Sequence, residues 1–162
     1  MSAGGAQIAL VDLHEETANA HDLFRNGHLQ DAVRRASQRF LNRVAEQAGH
    51  PVSKDKQGKD TALQGTSLVN RTFSEDNPIL VLNSHESLED WTLVDRDEHN
   101  GYRFLGVGLV QVIRNVFTHA DDYGLTETEA LEWLAFISAM HRRLDGAQQF
   151  VPPPEAEPDS DE

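Results

Sequence analysis

Residues 102–117, YRFLGVGLVQVIRNVF, decide the fold because they are apolar at nearly every turn of a helix. Aliphatic side chains recur at three- and four-residue steps along one line, at Leu105, Leu109, Val112 and Val116, with Ile113 and Phe117 beside it. A helix that is apolar around most of its circumference is normally buried by its neighbours. We therefore place this segment at the centre of a helical bundle.

Helical spacing also predicts two helices before this segment. The first runs roughly over residues 8–25 and ends at Asn26-Gly27, since glycine readily adopts the left-handed conformation that closes a helix. The second carries an apolar stripe from Leu29 to Val44, before Gly49-His50-Pro51 stops it. A tight glycine turn joins the two helices, so they should pack as a hairpin.

The segment between these helices and the central one is more varied. Residues 51–65 are polar and contain all three lysines, which predicts a mobile surface loop. Residues 63–73 predict a short helix. Residues 78–95 contain two short apolar runs, ILVL and WTLV, bounded by Pro, Asn, Ser and Asp, and this pattern favours a small β-hairpin.

The last helix begins with the pattern of a capping box, Thr126 and Glu129, in which each side chain pairs with a free backbone N–H. Its apolar stripe consists of Ala130, Trp133, Leu134, Ile137, Met140 and Leu144. Gly146 follows and ends it. The sequence thus predicts a mainly α fold, a bundle of four or five helices with a small β-hairpin insertion.

Composition limits the class of protein. A chain of 162 residues can form one domain with a substantial core, and we assign residues 8–148 to it, residues 1–7 to a flexible N-terminus and residues 149–162 to a disordered acidic tail. No apolar run approaches the roughly 20 residues of a membrane-spanning helix, and the N-terminus lacks the basic start of a signal peptide. We expect a cytoplasmic protein that does not interact with membranes.

Metal and nucleic-acid binding are constrained by residue types. The chain has no cysteine, and His14, His21 and His28 repeat every seven residues, whereas two histidines that share a metal are usually four apart. No metal and no cofactor is expected. The net charge of −13 weakens general attraction to nucleic acid, but it permits a local basic site.

Arg114 and His119 stand out in the central segment because an arginine in apolar surroundings needs an anion or another acceptor. An imidazole can take the proton of a ribose 2′-OH, and a guanidinium can stabilise charge on the adjacent phosphate, so the pair can cleave RNA without metal. Asn115 would orient His119 or bind the phosphate. On a straight α-helix Arg114 and His119 lie about 140° apart, so a helix end or a second subunit would have to bring them together.

A structural alternative exists for this segment, in which Arg114 and Asn115 anchor the following loop through Asp121 or Asp122. Further basic candidates for RNA binding are Arg35, Arg39 and Arg43, which follow at four-residue steps, and Lys54, Lys56 and Lys59 of the polar segment. The arginines could equally form a solvated face paired with Asp31 and Glu46, and the lysines a soluble loop. His141 is expected to be a partly buried structural histidine.

Four stretches together resemble the Ymh family of uncharacterised bacterial and phage proteins over roughly residues 10–145. They are HDLFRNGHLQDAVRRASQRFLNRV, LQGTSLVNRTFS, GYRFLGVGLVQVIRNVFTHAD and EALEWLAFISAMHRRLD. The Arg-Asn…His segment of this family is similar to the signature of the HEPN superfamily of α-helical bundles. Relatives often carry proline after the asparagine, whereas Val116 stands here, so we expect the helix to continue past Asn115.

The HEPN resemblance implies a function. Many members are metal-independent endoribonucleases of toxin–antitoxin, CRISPR and phage-defence systems, in which two subunits place their Arg and His in one cleft. It therefore implies a homodimer that cleaves RNA through Arg114, Asn115 and His119, with an antitoxin or another defence protein as partner. Other members do not catalyse, so the alternative is a HEPN-like interaction or nucleotide-binding module.

Overall fold

The fold is known from a computed structural model that describes residues 12–82, 88–116 and 124–150, with the backbone alone at residues 88 and 114–116. Within these ranges the chain forms five α-helices: α1 (His21–Arg25), α2 (Leu29–Gln47), α3 (Gly65–Thr72), α4 (Leu93–Val110) and α5 (Glu127–Asp145). A 3-10 helix, Glu15–Ala20, precedes α1, and a π-helical turn, Gln111–Val116, prolongs α4. The predicted mainly α bundle is confirmed.

Two short antiparallel pairs of strands accompany the helices. Strands β1 (Val52–Lys54) and β2 (Asp60–Ala62) form a hairpin. Strand β3 (Leu80–Val81) pairs with β4 (Gln148–Gln149), which follows the last helix. The second pair ties the chain after α5 to the segment before α4. Strand β4 includes Gln149, the first residue of the predicted disordered tail.

The core lies where α2 packs against α5 and the 3-10 helix, and where α3 packs against α4. Its largest fully buried apolar side chains are Phe40, Phe73, Leu109, Leu134, Ile137 and Leu144. The apolar stripes predicted for α2 and α5 form this core, because one-sided apolar patterning orients a helix. None of the helices in the described ranges is long and apolar enough to cross a membrane.

The first helix differs from its prediction over residues 8–25. Residues 12–14 are not helical, and the 3-10 helix begins only at Glu15, while residues 8–11 lie outside the described chain. The reason is a cap, since His14 Nδ1 accepts a hydrogen bond from the Glu16 N–H at 3.1 Å. The predicted turn at Gly27 is confirmed, with φ of 78°.

The small β-hairpin is present but lies elsewhere than predicted. Residues 51–65, expected to be a mobile surface loop, contain β1 and β2. The Asp55 carboxylate accepts the N–H groups of Gln57 and Lys59 at 2.9 Å and so closes the turn between them. In the described part of residues 78–95, Leu80–Val81 pairs with β4, and the run that starts at Trp91 does not pair with it. Thr92 caps α4 through a capping box, so the second apolar run opens a helix instead.

The orientation of α4 is a further correction. Leu105, predicted on its core-facing line, is 47% exposed, and the buried positions are instead His99, Gly106, Leu109 and Val110, with Ile113 in the π-helical turn. The close approach explains this choice, since a Cβ at Gly106 would lie 3.1 Å from the Val69 side chain. A glycine therefore faces α3 where a leucine would not fit.

His99 is a buried polar residue that joins three elements. Its Nδ1 accepts the Leu82 N–H, and its Nε2 donates to the Phe73 carbonyl, both at 3.2 Å. Burial lowers the pKa of His99 below its usual value. The neutral imidazole thus satisfies two backbone groups at the ends of α3 and β3.

Candidate functional site

The segment predicted to carry the chemistry begins in the π-helical turn. The helix does continue past Asn115, as far as Val116, as expected in the absence of proline. A π-turn widens the helix and recurs at functional sites. The side chains of Arg114 and Asn115 and the whole of His119 lie outside the described residues, so their convergence stays a prediction.

The helix leading to Arg114 presents apolar side chains to solvent. Val94 is 74% exposed, Phe104 62% and Leu105 47%, and a Cβ at Gly101 or Gly108 would meet no atom within 4 Å. At about 100° per residue, these five positions lie within roughly 100° of one another on α4. We call them the outer apolar face. It lies opposite the face that α4 packs into the core.

A cleft of about 820 Å³ opens between α2 and α3. Val110 and Ile113 line it, so it adjoins the π-helical turn just before Arg114. Arg35, one of the predicted RNA-binding residues, also lines it. The structure thus places Arg35 beside the same stretch of helix that carries the predicted catalytic segment.

Arg39 and Arg43 have a different environment from Arg35. Arg39 Nε and Nη2 donate to the Glu16 carboxylate at 2.6 and 3.0 Å, and its Nη1 donates to Glu46 at 3.0 Å. The hydrogen bonds from Arg39 lower the pKa of Glu16, and that carboxylate raises the pKa of Arg39. The pairing with Glu46 matches the solvated-face alternative. RNA binding by these two arginines stays a prediction.

Arg43 leads into a polar network that the sequence did not reveal. Its Nη1 donates to His141 Nδ1 at 3.0 Å, and its Nη2 donates to Asp145 at 2.6 Å. His14 Nε2 donates to the other oxygen of Asp145 at 2.8 Å. Although burial raises it, hydrogen bonds from Arg43 and His14 hold the pKa of Asp145 below its usual value. We call His14, Glu16, Arg39, Arg43, His141 and Asp145 the polar network.

His141 lies at the centre of this network and is fully buried. Its ring stacks on His14 at 5.1 Å and meets Phe40 edge-on at 5.6 Å. Burial, with Arg43 and His14 nearby, lowers the pKa of His141 to about 4. The prediction of a structural histidine is in keeping with these contacts. Both ring nitrogens of His14 and both carboxylate oxygens of Asp145 are hydrogen-bonded within the chain, so this network braces the N-terminal segment against α2 and α5.

The three lysines lie together on the exposed β1–β2 hairpin. Lys54 Nζ pairs with Asp60 at 3.0 Å, and Lys56 and Lys59 are exposed. Contact of this hairpin with RNA stays a prediction. As for metals, no group of three or more histidine and carboxylate side chains in the described ranges is arranged to hold an ion.

The sequence missed the polar network and the outer apolar face for physical reasons. The network joins residues up to 131 positions apart in the chain. The periodicity of apolar residues gives no information on which distant residues meet. The outer apolar face could have been suspected from Gly101, Leu105, Gly108 and Val112, which follow at steps of four, three and four, the spacing of a helix–helix seam.

Comparisons with known proteins give one result. No curated protein and no solved structure matches the chain. A family model described as "Protein of unknown function (Hypoth_ymh)" matches residues 12–144. This match covers most of the chain, including every described α-helix almost to the end of α5. The chain therefore belongs to the Ymh family.

Proposed function

We propose that this protein is a homodimeric, metal-independent endoribonuclease of HEPN type that acts in the cytoplasm, in phage defence or a toxin–antitoxin system. The observation that carries the proposal is the outer apolar face of α4, which leads directly into the π-helical turn with Arg114 and Asn115. Phe104 and Leu105, exposed between Gly101 and Gly108, form an apolar patch beyond Asp97, and such a patch on a domain surface marks an interaction site. A second copy packed there would bring two Arg-Asn…His segments near one another.

The chemistry follows from the residue types. His119 takes the proton of a ribose 2′-OH, whose oxygen attacks the adjacent phosphorus. The bond from phosphorus to the 5′-oxygen breaks, and that oxygen receives a proton as it leaves. Arg114 stabilises the negative charge on the phosphate oxygens, and Asn115 positions the phosphate or the imidazole. The products are a 2′,3′-cyclic phosphate and a 5′-hydroxyl.

The first experiment measures cleavage of labelled single-stranded RNA in EDTA by wild type, Arg114→Ala and His119→Ala. Arg96→Ala, on the same helix, and His28→Ala, at an exposed position, are matched controls that remove the same side chains elsewhere. We expect wild type and both controls to cut and to leave cyclic phosphate ends. Equal inertness of all five folded proteins on varied RNAs would favour the non-catalytic interaction module.

The second experiment tests the dimer by light scattering. Leu105→Glu places a charge on the outer apolar face, whereas Val52→Glu places it on the exposed hairpin, where Val52 is 53% exposed. We expect wild type and Val52→Glu to be dimers and Leu105→Glu a monomer that no longer cuts RNA. A wild type that is strictly monomeric at all concentrations would remove the shared cleft and with it the catalytic proposal.

A further inference from the structure

The cleft between α2 and α3 has the size and the lining of a ligand site. Its volume of about 820 Å³ lies within the range of small-molecule sites, roughly 300–1,000 Å³. One wall is a face of α2, and the N-terminal end of α3 forms another with Gln64 and Gly65. Its apolar lining includes Leu41, Leu68, Val110 and Ile113. It combines an apolar surface with several polar side chains.

The charged lining groups favour an anion. Among the described residues, Arg34 and Arg35 line the cleft together with one carboxylate, that of Asp31. The Asp31 carboxylate pairs with Arg34 at 3.4 Å. Within the described part of the chain, Arg35 has no hydrogen bond and no ion pair, unlike Arg39 and Arg43. A guanidinium left without a carboxylate in a protein of net charge −13 is available for a phosphate.

Ser37 adds a hydroxyl to the wall of the cleft. It lines the cleft and is 4% exposed. A hydroxyl both donates and accepts hydrogen bonds, so a bound molecule with a polar edge can pair with it there.

The remaining polar groups are amides. Gln38 and Asn42 lie one helical turn apart on α2, and the Gln38 amide donates to Asn42 at 2.9 Å. Such amides present donors and acceptors together, as the edges of nucleobases do. A sugar phosphate would leave the apolar lining uncovered, and a fatty acid has no polar edge to face the amides and Ser37. A molecule with an apolar ring, a polar edge and a phosphate matches the whole set.

We propose that this cleft binds a nucleotide, with Arg35 at the phosphate, the base against Leu41 and Ile113, and Gln38 and Ser37 at polar edges. The nucleotide is either free or one unit of an RNA strand. The proposal does not depend on RNA cleavage, because the described residues of the cleft carry it.

Isothermal titration of the full chain tests this proposal. The probes are AMP, GMP, CMP, UMP, ribose 5-phosphate and a short 2′-O-methyl RNA that cannot be cleaved through the 2′-OH. Arg35→Ala is compared with Arg25→Ala, which removes an exposed arginine of α1 that does not line the cleft. We expect saturable binding of a mononucleotide or of the RNA, weakened about tenfold or more by Arg35→Ala and less than twofold by Arg25→Ala.

Ser37→Ala tests a second cleft residue. Removal of this hydroxyl should weaken nucleotide binding severalfold in a protein that still folds. Binding of RNA but of no mononucleotide, with the same dependence on Arg35, identifies the strand as the source of the nucleotide. The proposal is overturned if no probe binds, if ribose 5-phosphate binds as well as the nucleotides, or if Arg25→Ala and Arg35→Ala weaken binding equally.

Discussion

Titration of His141 should make the protein lose stability between pH 7 and pH 5. The folded-state pKa of about 4 lies below the ordinary value of 6.5, because the buried imidazole stays neutral beside Arg43. A group with a lowered histidine pKa contributes its full stability above the unfolded value and loses it as pH falls from about 6.5 towards 4. At pH 5, protonation of this histidine favours the unfolded chain over the folded one by a factor of about 30. This factor corresponds to a loss of about 2 kcal/mol in the free energy of unfolding.

His141→Gln isolates this effect. The glutamine side chain can still accept a hydrogen bond from Arg43, but it does not titrate. Glu16 and Asp145 also have lowered pKa values, and their contribution is lost only as pH falls below about 4.5, so the interval from pH 7 to 5 belongs mainly to histidines. His99 shifts in the same direction, but it is present in every variant and cancels.

The assay is urea unfolding of wild type, His141→Gln and His28→Gln at pH 7, 6 and 5. His28 is exposed, so its variant controls for loss of a histidine as such. We expect the unfolding free energy of wild type and of His28→Gln to fall by about 2 kcal/mol more than that of His141→Gln. Three identical pH slopes would refute the assignment of this loss to the buried imidazole.

Two further changes test the packing and the caps. Gly106→Leu should destabilise the protein by about 1–3 kcal/mol, because even a Cβ there lies 3.1 Å from Val69. Gly101→Ala, at an open position of the same helix, should instead stabilise α4 by up to about 1 kcal/mol. Chemical unfolding measures both changes, and equal effects would contradict the contact at Gly106. Thr126→Ala should lower the free energy of unfolding by about 1 kcal/mol, because it removes the capping box of α5. The control Thr128→Ala, at an exposed position, should change it little. Similar melting temperatures for the two variants would show that the cap contributes nothing.

The sequence pattern correctly predicted those parts of the fold that depend on residues close together in the chain. α2 and α5 have apolar residues on one side, so spacing alone indicates both the helix and its buried face. The capping box at Thr126 was predicted for the same reason, since its partners are three residues apart. The hairpin β1–β2 was missed because its strands are exposed, and the Asp55 side chain, rather than an alternating pattern, closes its turn.

Other features depend on which distant segments meet, and the sequence pattern does not contain this information. β3 pairs with β4 from the far side of α5, and His141 contacts Arg43 across 98 residues. α4 is a different case, because a helix that is apolar nearly all round has no preferred face in its spacing. The close contact at Gly106 determines which face of α4 packs against α3, and this orientation leaves Leu105 at the surface.

The exposed side of α4 connects the two proposals and separates them experimentally. One helix presents the outer apolar face with Leu105, continues into the turn with Arg114, and lines the cleft that holds Arg35. If the protein cleaves RNA, changes at these three positions should all reduce cutting, but through different quantities. Leu105→Glu should lower activity by dissociating the dimer, Arg114→Ala should lower the rate at saturating RNA, and Arg35→Ala should raise the RNA concentration needed for half-maximal rate. If the protein is an interaction module instead, no variant cuts RNA, but Leu105→Glu should still dissociate the dimer, and Arg35→Ala should still weaken nucleotide binding about tenfold or more.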